Sequence, residues 1–215
     1  MTKVLIFQGG WEGHEPGKVA ELFADELRRR GATVDVADSC SALDDGGALR
    51  RYGLIMPCWT MGELTPVQTK NLLDAVHAGT GLGGSHGGMG DAFRGNTSYE
   101  WMVGGHFVGH PHVGSYTVQV TKTGAANPIT AALPPSFDYD SEQYYMLIDP
   151  AVKVLAETRY TYEGREVAMP VVWTKSWGKG RVFYSALGHV AEEFSTYPFV
   201  REMTVNGLLW AARKD

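Results

Sequence analysis

The sequence is poor in cysteine and lacks long apolar runs. Its 215 residues include only Cys40 and Cys58, too few for a disulfide framework or a zinc knuckle. No stretch approaches the ~20 apolar residues that a membrane-spanning helix needs. The opening residues, MTKVLIFQGG, enter a strand pattern directly and show no signal-peptide pattern. These absences predict a cytoplasmic protein with reduced thiols and no membrane partner.

Long basic runs are also missing. Lysine and arginine number 19 against 24 aspartates and glutamates, which gives a net charge of -5. An acidic chain without a basic patch does not fit a nucleic-acid partner, so we expect a neutral or polar small molecule as ligand. The composition, 44% hydrophobic and 20% charged, is that of a globular protein. Because no repeat or linker interrupts it, we predict a single domain over residues 1–215.

Glycine, by contrast, is abundant and clustered. The 27 glycines concentrate at residues 9–17, 79–95 and 104–114. Clustered glycine without low complexity indicates backbone that adopts unusual dihedral angles or approaches another group closely. These segments are therefore candidates for a functional site.

Short apolar runs alternate with helical patterns in residues 1–90. The patterns predict strands over residues 3–8, 32–37, 52–59 and 80–85, and helices over residues 16–30 and 65–76. Pro57 is expected at the end of its strand, because proline cannot donate to a sheet ladder. Strands that alternate with helices build parallel sheets covered on both faces.

The second half of the chain is richer in strands. Strands are predicted over residues 115–121, 152–157, 169–173 and 181–187, with a tight turn at 176–181 and a closing helix over 198–212. The predicted fold class is therefore α/β: a flavodoxin-like, doubly wound, mostly parallel sheet with additional β-strands in the C-terminal half.

Histidines follow three of the predicted strand ends. His14 follows the first strand, His86 follows the fourth, and His189 follows a late strand. Ligands of doubly wound sheets bind outside the carboxyl ends of the strands, so we predict one site around these imidazoles. His14 also precedes a helix, whose N-terminal amides favour anions or sugar oxygens. The alternative for His14 is a surface loop that happens to contain a histidine.

The glycine-rich segment 81–88 is typical of a nucleophile elbow, a sharp turn that projects one side chain from a strand end. It contains no cysteine and offers Ser85 and His86 at the turn. The string from Gly83 to Gly87 matches the G-x-S-x-G frame of serine hydrolases, so Ser85 is an alternative nucleophile. We favour His86 as the functional group, because a histidine next to the serine cannot easily act as its base.

Three histidines within seven residues, His106, His110 and His112, could chelate zinc or manganese or lie exposed in a loop. His106 is the one expected to face the cleft.

Glu142 lies among aromatic residues, where burial can raise a carboxyl pKa and produce a general acid or base. A surface ion pair is the alternative for Glu142. Trp59 could stack on a sugar, with core packing as the default.

At these residues the sequence resembles the ThuA-like family, named for trehalose-utilisation proteins, over nearly the whole chain. The resemblance is carried by the loop with His14, the glycine string with His86, the region from Phe107 to Pro111, the NPIT string at 127–130, Glu142 and Tyr144, Pro170 and Trp173, and the run 178–184 followed by Leu187, Gly188 and His189. The family is similar in fold to class I glutamine amidotransferases but lacks their elbow cysteine, as this chain does. Glutamine amidotransferase activity is therefore not expected.

The resemblance implies a role in the uptake or breakdown of disaccharides, including 3-keto-glycosides made by partner dehydrogenases. Some members carry a metal in the cleft, so a divalent ion such as zinc or manganese is compatible with the site. The expected partners are a small sugar, a sugar dehydrogenase and further copies of the chain in a homo-oligomer. We assign catalytic roles to His86, Glu142, His189 and Tyr144, and substrate-binding roles to His14, Trp59, Asp91 and His106.

The leading hypothesis is an enzyme of carbohydrate catabolism that acts on a disaccharide or glycoside, for example a 3-keto-glycoside. A 3-keto group acidifies the C2 hydrogen, so a base, His86 or Glu142, can remove it. His189 or Tyr144 can protonate the departing oxygen. His14, helix N-terminal amides or a metal can stabilise the enolate. The same groups serve hydrolysis or isomerisation. The alternative is a non-catalytic sugar-binding or regulatory module, because a fold alone does not imply chemistry.

Overall fold

The computed structural model describes residues 2–131 and 133–213. Within these residues the strands are β1 (Lys3–Gly10), β2 (Thr33–Ala37), β3 (Leu54–Thr60), β4 (Gly81–Ser85), β5 (Gly105–Val120), β6 (Ser136–Ile148), β7 (Lys153–Tyr162), β8 (Arg165–Trp177) and β9 (Gly180–Ser185). The helices are α1 (Pro16–Arg29), α2 (Gly46–Leu49), α3 (Pro66–Ala78), α4 (His86–Gly90), α5 (Thr97–Val103), α6 (Lys122–Ala125), α7 (Glu193–Thr196) and α8 (Pro198–Ala211), with single 3-10 turns at Glu12–His14 and Cys40–Leu43.

The strands form one mixed sheet in the order β2-β1-β3-β4-β9-β8-β7-β5-β6. The first five in this order run parallel to one another. This flavodoxin-like order confirms the predicted fold class. Residues 4–7 of β1 are all apolar and buried, as expected for a parallel strand that helices cover on both faces. Helix α1 packs against β1 and β2, whereas α8 packs against β4 and β9.

Local sequence explains where the helices of the parallel half begin. Helix α1 starts at Pro16, whose fixed φ suits the first helical position. Helix α3 follows Thr65, whose hydroxyl accepts from the backbone N–H of Gln68 while the Gln68 side chain accepts from the Thr65 N–H. This capping box satisfies two N–H groups at the helix start. Both helices occur where the sequence predicts them.

Pro57 lies inside β3, which corrects the expectation that it ends the strand. Its register partner in β1 is Phe7, and pairing with β1 continues to Thr60. On the other side, pairing with β4 includes only Leu54 and Ile55. Because the ladder with β4 stops before residue 57, the missing N–H of proline interrupts no hydrogen bond on that side.

Beyond β9, the strands β8, β7, β5 and β6 extend the sheet in antiparallel pairs. The strands predicted here are present with different lengths, and β5 begins at Gly105 rather than at residue 115. The predicted tight turn joins β8 to β9 with Gly178 at φ 57°. The edge strand β6 and helix α5 were not predicted. Strand β6 matters most, because it carries Glu142 and Tyr144.

Large aromatic side chains fill the interior between the sheet and its helices. Trp173 is fully buried, and its indole N–H donates to the carbonyl oxygen of Val103 at 3.0 Å. Its ring packs against Tyr184 on β9. No helix in the described part of the chain is both long and apolar enough to cross a membrane.

Candidate functional site

The elbow after β4 places His86 at the strand tip. His86 adopts a left-handed backbone conformation, with φ at 47°, which is uncommon for a residue with a side chain. The Tyr184 hydroxyl donates to its carbonyl oxygen at 3.1 Å and holds the turn. A Cβ at Gly87 would lie 2.2 Å from Cε1 of His14, so only glycine lets the two segments approach this closely. The predicted elbow is present, with histidine as the projecting side chain.

His14 and His189 reach the same place from neighbouring strands. His14 ends the 3-10 turn that follows β1, and it is buried. His189 comes after β9 and is preceded by Gly188, whose φ is 95°. A Cβ at Gly188 would lie 2.1 Å from the Phe194 ring, so this turn also requires glycine. The strand order β1-β3-β4-β9 therefore brings the three strand ends together.

The three imidazoles form a compact cluster with Glu142. Ring centroids lie 4.8 Å apart for His14 and His86, 4.9 Å for His14 and His189, and 5.2 Å for His86 and His189. One ligand atom from each histidine and one carboxylate oxygen of Glu142 all lie within 4.8 Å of one another. We call these four residues the histidine cluster.

Two neighbouring hydroxyls orient the rings of this cluster. Nδ1 of His14 lies 2.7 Å from Oγ1 of Thr60 at the end of β3, and Nδ1 of His86 lies 3.0 Å from the hydroxyl of Tyr144. Because both Nδ1 atoms have a hydroxyl partner, Nε2 is the nitrogen of each ring that is available to bind a ligand. Metal-binding histidines are commonly held in this way by a partner on the second nitrogen.

Polar atoms at the centre of the cluster lack partners. Among the described residues, Nε2 of His86 and Nδ1 of His189 are buried and have no hydrogen-bond partner. Oε2 of Glu142 lies 3.7 Å from the former and 3.5 Å from the latter, too far for good hydrogen bonds. Buried polar atoms without partners are costly, and each one in a native protein calls for an explanation such as an ion.

Burial keeps the inner histidines neutral. It lowers the pKa of His14 to about 4, with smaller contributions from His189 and His110. It also lowers the pKa of His86 well below its ordinary value, and the neighbouring histidines add to this effect. Neutral imidazole is the form that binds metals. In a tetrahedral zinc site, two ligand atoms at about 2.0–2.2 Å from the ion lie roughly 3.3–3.6 Å apart. The cluster, whose ligand atoms lie within 4.8 Å of one another, would have to contract to hold such an ion.

Ser85 and Cys58 line the same small cavity as the cluster. Cys58 is buried, and burial raises its pKa to about 12, so it is a thiol rather than a nucleophilic thiolate at neutral pH. His86, the imidazole next to Ser85 in sequence, is engaged at Nδ1 with Tyr144. The described contacts of the histidine cluster place no activating base at Ser85 or at Cys58.

The histidine trio of β5 does not form a cluster of its own. His106 pairs with Glu100 at 3.3 Å, in a hollow whose lining includes no member of the histidine cluster. Nε2 of His112 lies 3.2 Å from the Ser115 carbonyl oxygen at the surface. His110 alone reaches the site, with Nε2 3.7 Å from Oε1 of Glu142. The irregular β5–β6 register around Gly109 and His112 separates the three side chains.

The remaining predicted site residues have different surroundings. Asp91 is buried, and Arg94 binds both of its oxygens, at 2.6 and 2.8 Å. Trp59 is partly buried, and its ring lies against Gly9 and Gly62. Tyr144 is buried, and its ring packs against His86. Burial raises the pKa of the Tyr144 hydroxyl well above its ordinary value, so Tyr144 keeps its proton.

Sequence reasoning missed two residues beside the cluster. Thr60 is the register partner of Gly10, so its position at the end of β3, next to the end of β1, could have indicated it. Trp11 is 47% exposed and packs edge-on against His14 at 4.7 Å. Its place in the glycine-rich loop before His14 was the available indication.

Comparison with solved structures shows the same fold in several proteins. A ThuA-like protein from Bacteroides uniformis superposes with a TM-score of 0.79 at 23% identity, covering 100% of this chain and 92% of that one. A cytoplasmic protein from Salmonella typhimurium LT2 has a TM-score of 0.68 at 16% identity, covering 99% and 100%. A β-galactosidase from Bacillus circulans has a TM-score of 0.58 at 14% identity over 98% of this chain and 30% of its own. At these identities the similarity concerns the fold alone.

No curated protein matches the sequence. The sequence profile of the ThuA family, described as trehalose utilisation, matches residues 3–211. This match takes in all four members of the histidine cluster and every strand of the sheet. The chain therefore belongs to the ThuA (trehalose utilisation) family, which indicates a role connected with carbohydrate.

Proposed function

We propose that this protein is a metal-assisted enzyme of carbohydrate breakdown that acts on a glycoside. The observation that carries the proposal is the convergence of His14, His86, His189 and Glu142, with inward-facing nitrogens that lack partners. A binding module for a neutral sugar needs hydrogen-bonding groups open to the ligand. It does not need three mostly buried imidazoles packed edge to face.

The three histidines would hold a divalent ion, zinc or manganese, through Nε2 of His14, Nε2 of His86 and Nδ1 of His189. The donor set supports this, because three imidazoles and one carboxylate are ligands that both ions accept. The orienting contacts from Thr60 and Tyr144 support it as well. When bound, such an ion supplies positive charge that stabilises an oxyanion on the substrate.

The substrate class proposed is a 3-keto-glycoside. Glu142 removes the C2 proton, an enolate forms at the C3 oxygen, and the C1–O bond breaks with its electron pair leaving on oxygen. The departing oxygen takes up a proton, and addition of water to the resulting C1–C2 double bond completes a net hydrolysis. Glu142 suits the role of base because one oxygen faces the cluster and the other faces His110 toward solvent.

Two groups outside the cluster are proposed to meet the substrate. His110 lies on the solvent side of Glu142, where it can return a proton to the departing oxygen. Trp11 presents an exposed indole beside His14, a surface on which the apolar face of a sugar ring can stack. A sugar dehydrogenase is the class of partner enzyme that would supply the 3-keto group.

The test combines metal analysis with a product assay. Purified protein should bind about one zinc or manganese ion per chain, and it should release free sugar from 3-keto-trehalose but not from trehalose. E142Q should lower kcat at least 100-fold while it still binds metal, whereas H86A should lose the metal. The surface variant H112Q is the matched control and should behave as wild type. Full activity of E142Q, or a protein that binds neither metal, would overturn the proposal.

The absence of an elbow cysteine favours a second candidate, a non-catalytic sugar-binding or regulatory module. The elbow residue is His86, which is engaged with Tyr144 and the cluster. Calorimetry with 3-keto-trehalose and trehalose, run beside the product assay, separates the two functions. Binding of either sugar at micromolar affinity without product formation supports the module.

A further inference from the structure

A carboxylate outside the histidine cluster joins the chain segment that carries Glu142 to the segment that carries His189. Glu193, in α7, accepts three hydrogen bonds. Its Oε2 accepts from the Tyr139 hydroxyl at 2.5 Å and from the backbone N–H of His189 at 3.0 Å. Its Oε1 accepts from the Ser141 hydroxyl at 2.7 Å. We call this set of contacts the Glu193 clamp.

The clamp connects β6 with the turn after β9. Tyr139 and Ser141 lie on β6, and Ser141 is the immediate neighbour of Glu142. The third donor is the backbone of His189 itself. The Tyr139 hydroxyl also accepts from the backbone N–H of Gly188 at 3.0 Å, which fixes the same turn a second time.

Among the described strands, no pairing joins β6 directly to β9. In the sheet, β6 is at one edge and is separated from β9 by β8, β7 and β5. The separation of His189 from Glu142 therefore depends on contacts made outside the ladder, and Glu193 provides three of them on one carboxylate. Hydrogen bonds to a charged acceptor are stronger than those between neutral groups.

We propose that Glu193 is a positioning residue that holds His189, one of the three histidines proposed to bind the metal, in place against the strand that carries Glu142. The proposal rests on the metal site proposed above. Glu193 touches neither the centre of the cluster nor a substrate, and it acts through the backbone of His189 and the neighbour of Glu142. Partners of this indirect kind typically change metal affinity 10- to 100-fold when they are removed.

Two substitutions of Glu193, E193A and E193Q, should affect the clamp differently. E193A removes all three hydrogen bonds and leaves the Gly188–Tyr139 hydrogen bond between the two segments in place. E193Q keeps the shape and can keep the connection, because its amide oxygen can accept from His189 while its amide nitrogen donates to the Ser141 hydroxyl, which is also an acceptor. E192A is the matched control, because Glu192 is the exposed neighbouring carboxylate.

The experiment measures the Kd of metal-free protein for Zn²⁺ and for Mn²⁺ by competition with a chromophoric chelator. Each variant is first checked for native circular dichroism and for its Tm without metal. We expect E193A to raise Kd at least tenfold, E193Q to stay within about threefold of wild type, and E192A to match it. A merely structural role would lower the metal-free Tm of E193A without changing its Kd well below that temperature.

A folded E193A with the wild-type Kd would overturn the inference. If E193A does not fold, the double variant Y139F/S141A replaces it, because this variant removes two of the three donors and retains the carboxylate. An unchanged Kd in that variant would equally overturn the inference. A wild-type protein that binds neither ion overturns the proposed metal site and the clamp together, which is a different outcome from equal binding by wild type and E193A.

Discussion

At the scale of single residues, the site depends on atoms that never face a substrate. Thr60 contributes one hydroxyl, and its contact with Nδ1 of His14 decides which nitrogen of that ring faces the cluster. The Tyr144 hydroxyl makes the corresponding contact with Nδ1 of His86.

We expect T60V to weaken metal binding about tenfold, because valine keeps the shape of threonine but leaves Nδ1 of His14 without its partner. T60S, which retains the hydroxyl, should stay close to wild type. The measurement is the Kd for Zn²⁺ by chelator competition. T117V removes a surface hydroxyl and serves as control. Equal affinities for T60V and wild type would show that the hydroxyl does not orient His14.

Trp11 gives a prediction about substrate rather than metal. W11A should raise KM for 3-keto-trehalose roughly tenfold, about 1.4 kcal/mol, with kcat changed far less, because the indole is predicted to contact the sugar ring and not the reacting bond. W11F should recover part of the loss. Steady-state kinetics test this, with W101A as the control, since Trp101 is 63% exposed and packs on Trp177 instead. A fall in kcat with unchanged KM would contradict the stacking role.

At the scale of elements, the glycines of α4 let the side chains of His14 and Tyr184 pack directly against the helix backbone. A Cβ added at Gly87 would lie 2.2 Å from Cε1 of the His14 ring. A Cβ added at Gly90 would lie 2.2 Å from the hydroxyl oxygen of Tyr184. Gly87 and Gly90 are therefore required by close packing of α4 against the His14 ring and the Tyr184 hydroxyl.

G87A should displace His14 from the cluster, because the new methyl group would lie 2.2 Å from Cε1 and 2.4 Å from Nδ1 of that ring. We expect a Tm several degrees lower and a metal affinity reduced at least tenfold. G17A is the control, since Gly17 lies in α1 where an added methyl group meets only the Gln8 side chain at 3.8 Å. Thermal unfolding and zinc competition measure both effects. A G87A variant with wild-type affinity would mean that His14 is not a ligand.

Elements also differ in how well sequence predicts them. The parallel strands and the histidines at their ends were predictable, because buried strands are apolar runs and the topology brings their carboxyl ends together. The edge strand β6 was not predicted, although Phe137 and Tyr139 alternate with Asp138 and Asp140 in the period-two pattern of a strand with one exposed face. Its pairing with β5 depends on residues that are distant in sequence. The separation of His106, His110 and His112 follows from irregular register, which no local pattern shows.

At the scale of the whole molecule, the cluster makes the stability of the metal-free protein depend on pH. Well above pH 6.5 the inner histidines are neutral in both the native and the unfolded chain, so they add no pH dependence there. As the pH falls from about 6.5 to about 4, the unfolded chain binds a proton at residue 14 while the native protein does not. The free energy of unfolding must therefore decrease as the solution becomes acidic. For His14 alone the decrease amounts to about 3 kcal/mol, and His86 acts in the same direction.

Urea unfolding of chelator-treated protein at pH 7.5, 5.5 and 4.5 measures this dependence. Other groups also titrate in that range, so the decisive quantity is the difference between wild type and H14Q. We expect H14Q to lose less stability than wild type between pH 7.5 and 4.5, whereas H112Q, which alters an exposed histidine, should lose as much as wild type. Zn²⁺ at pH 7.5 should raise the Tm of wild type by mass action, and acid should abolish that gain because protons compete for the same nitrogens. Parallel pH profiles for wild type and H14Q would mean that His14 is not held neutral by burial.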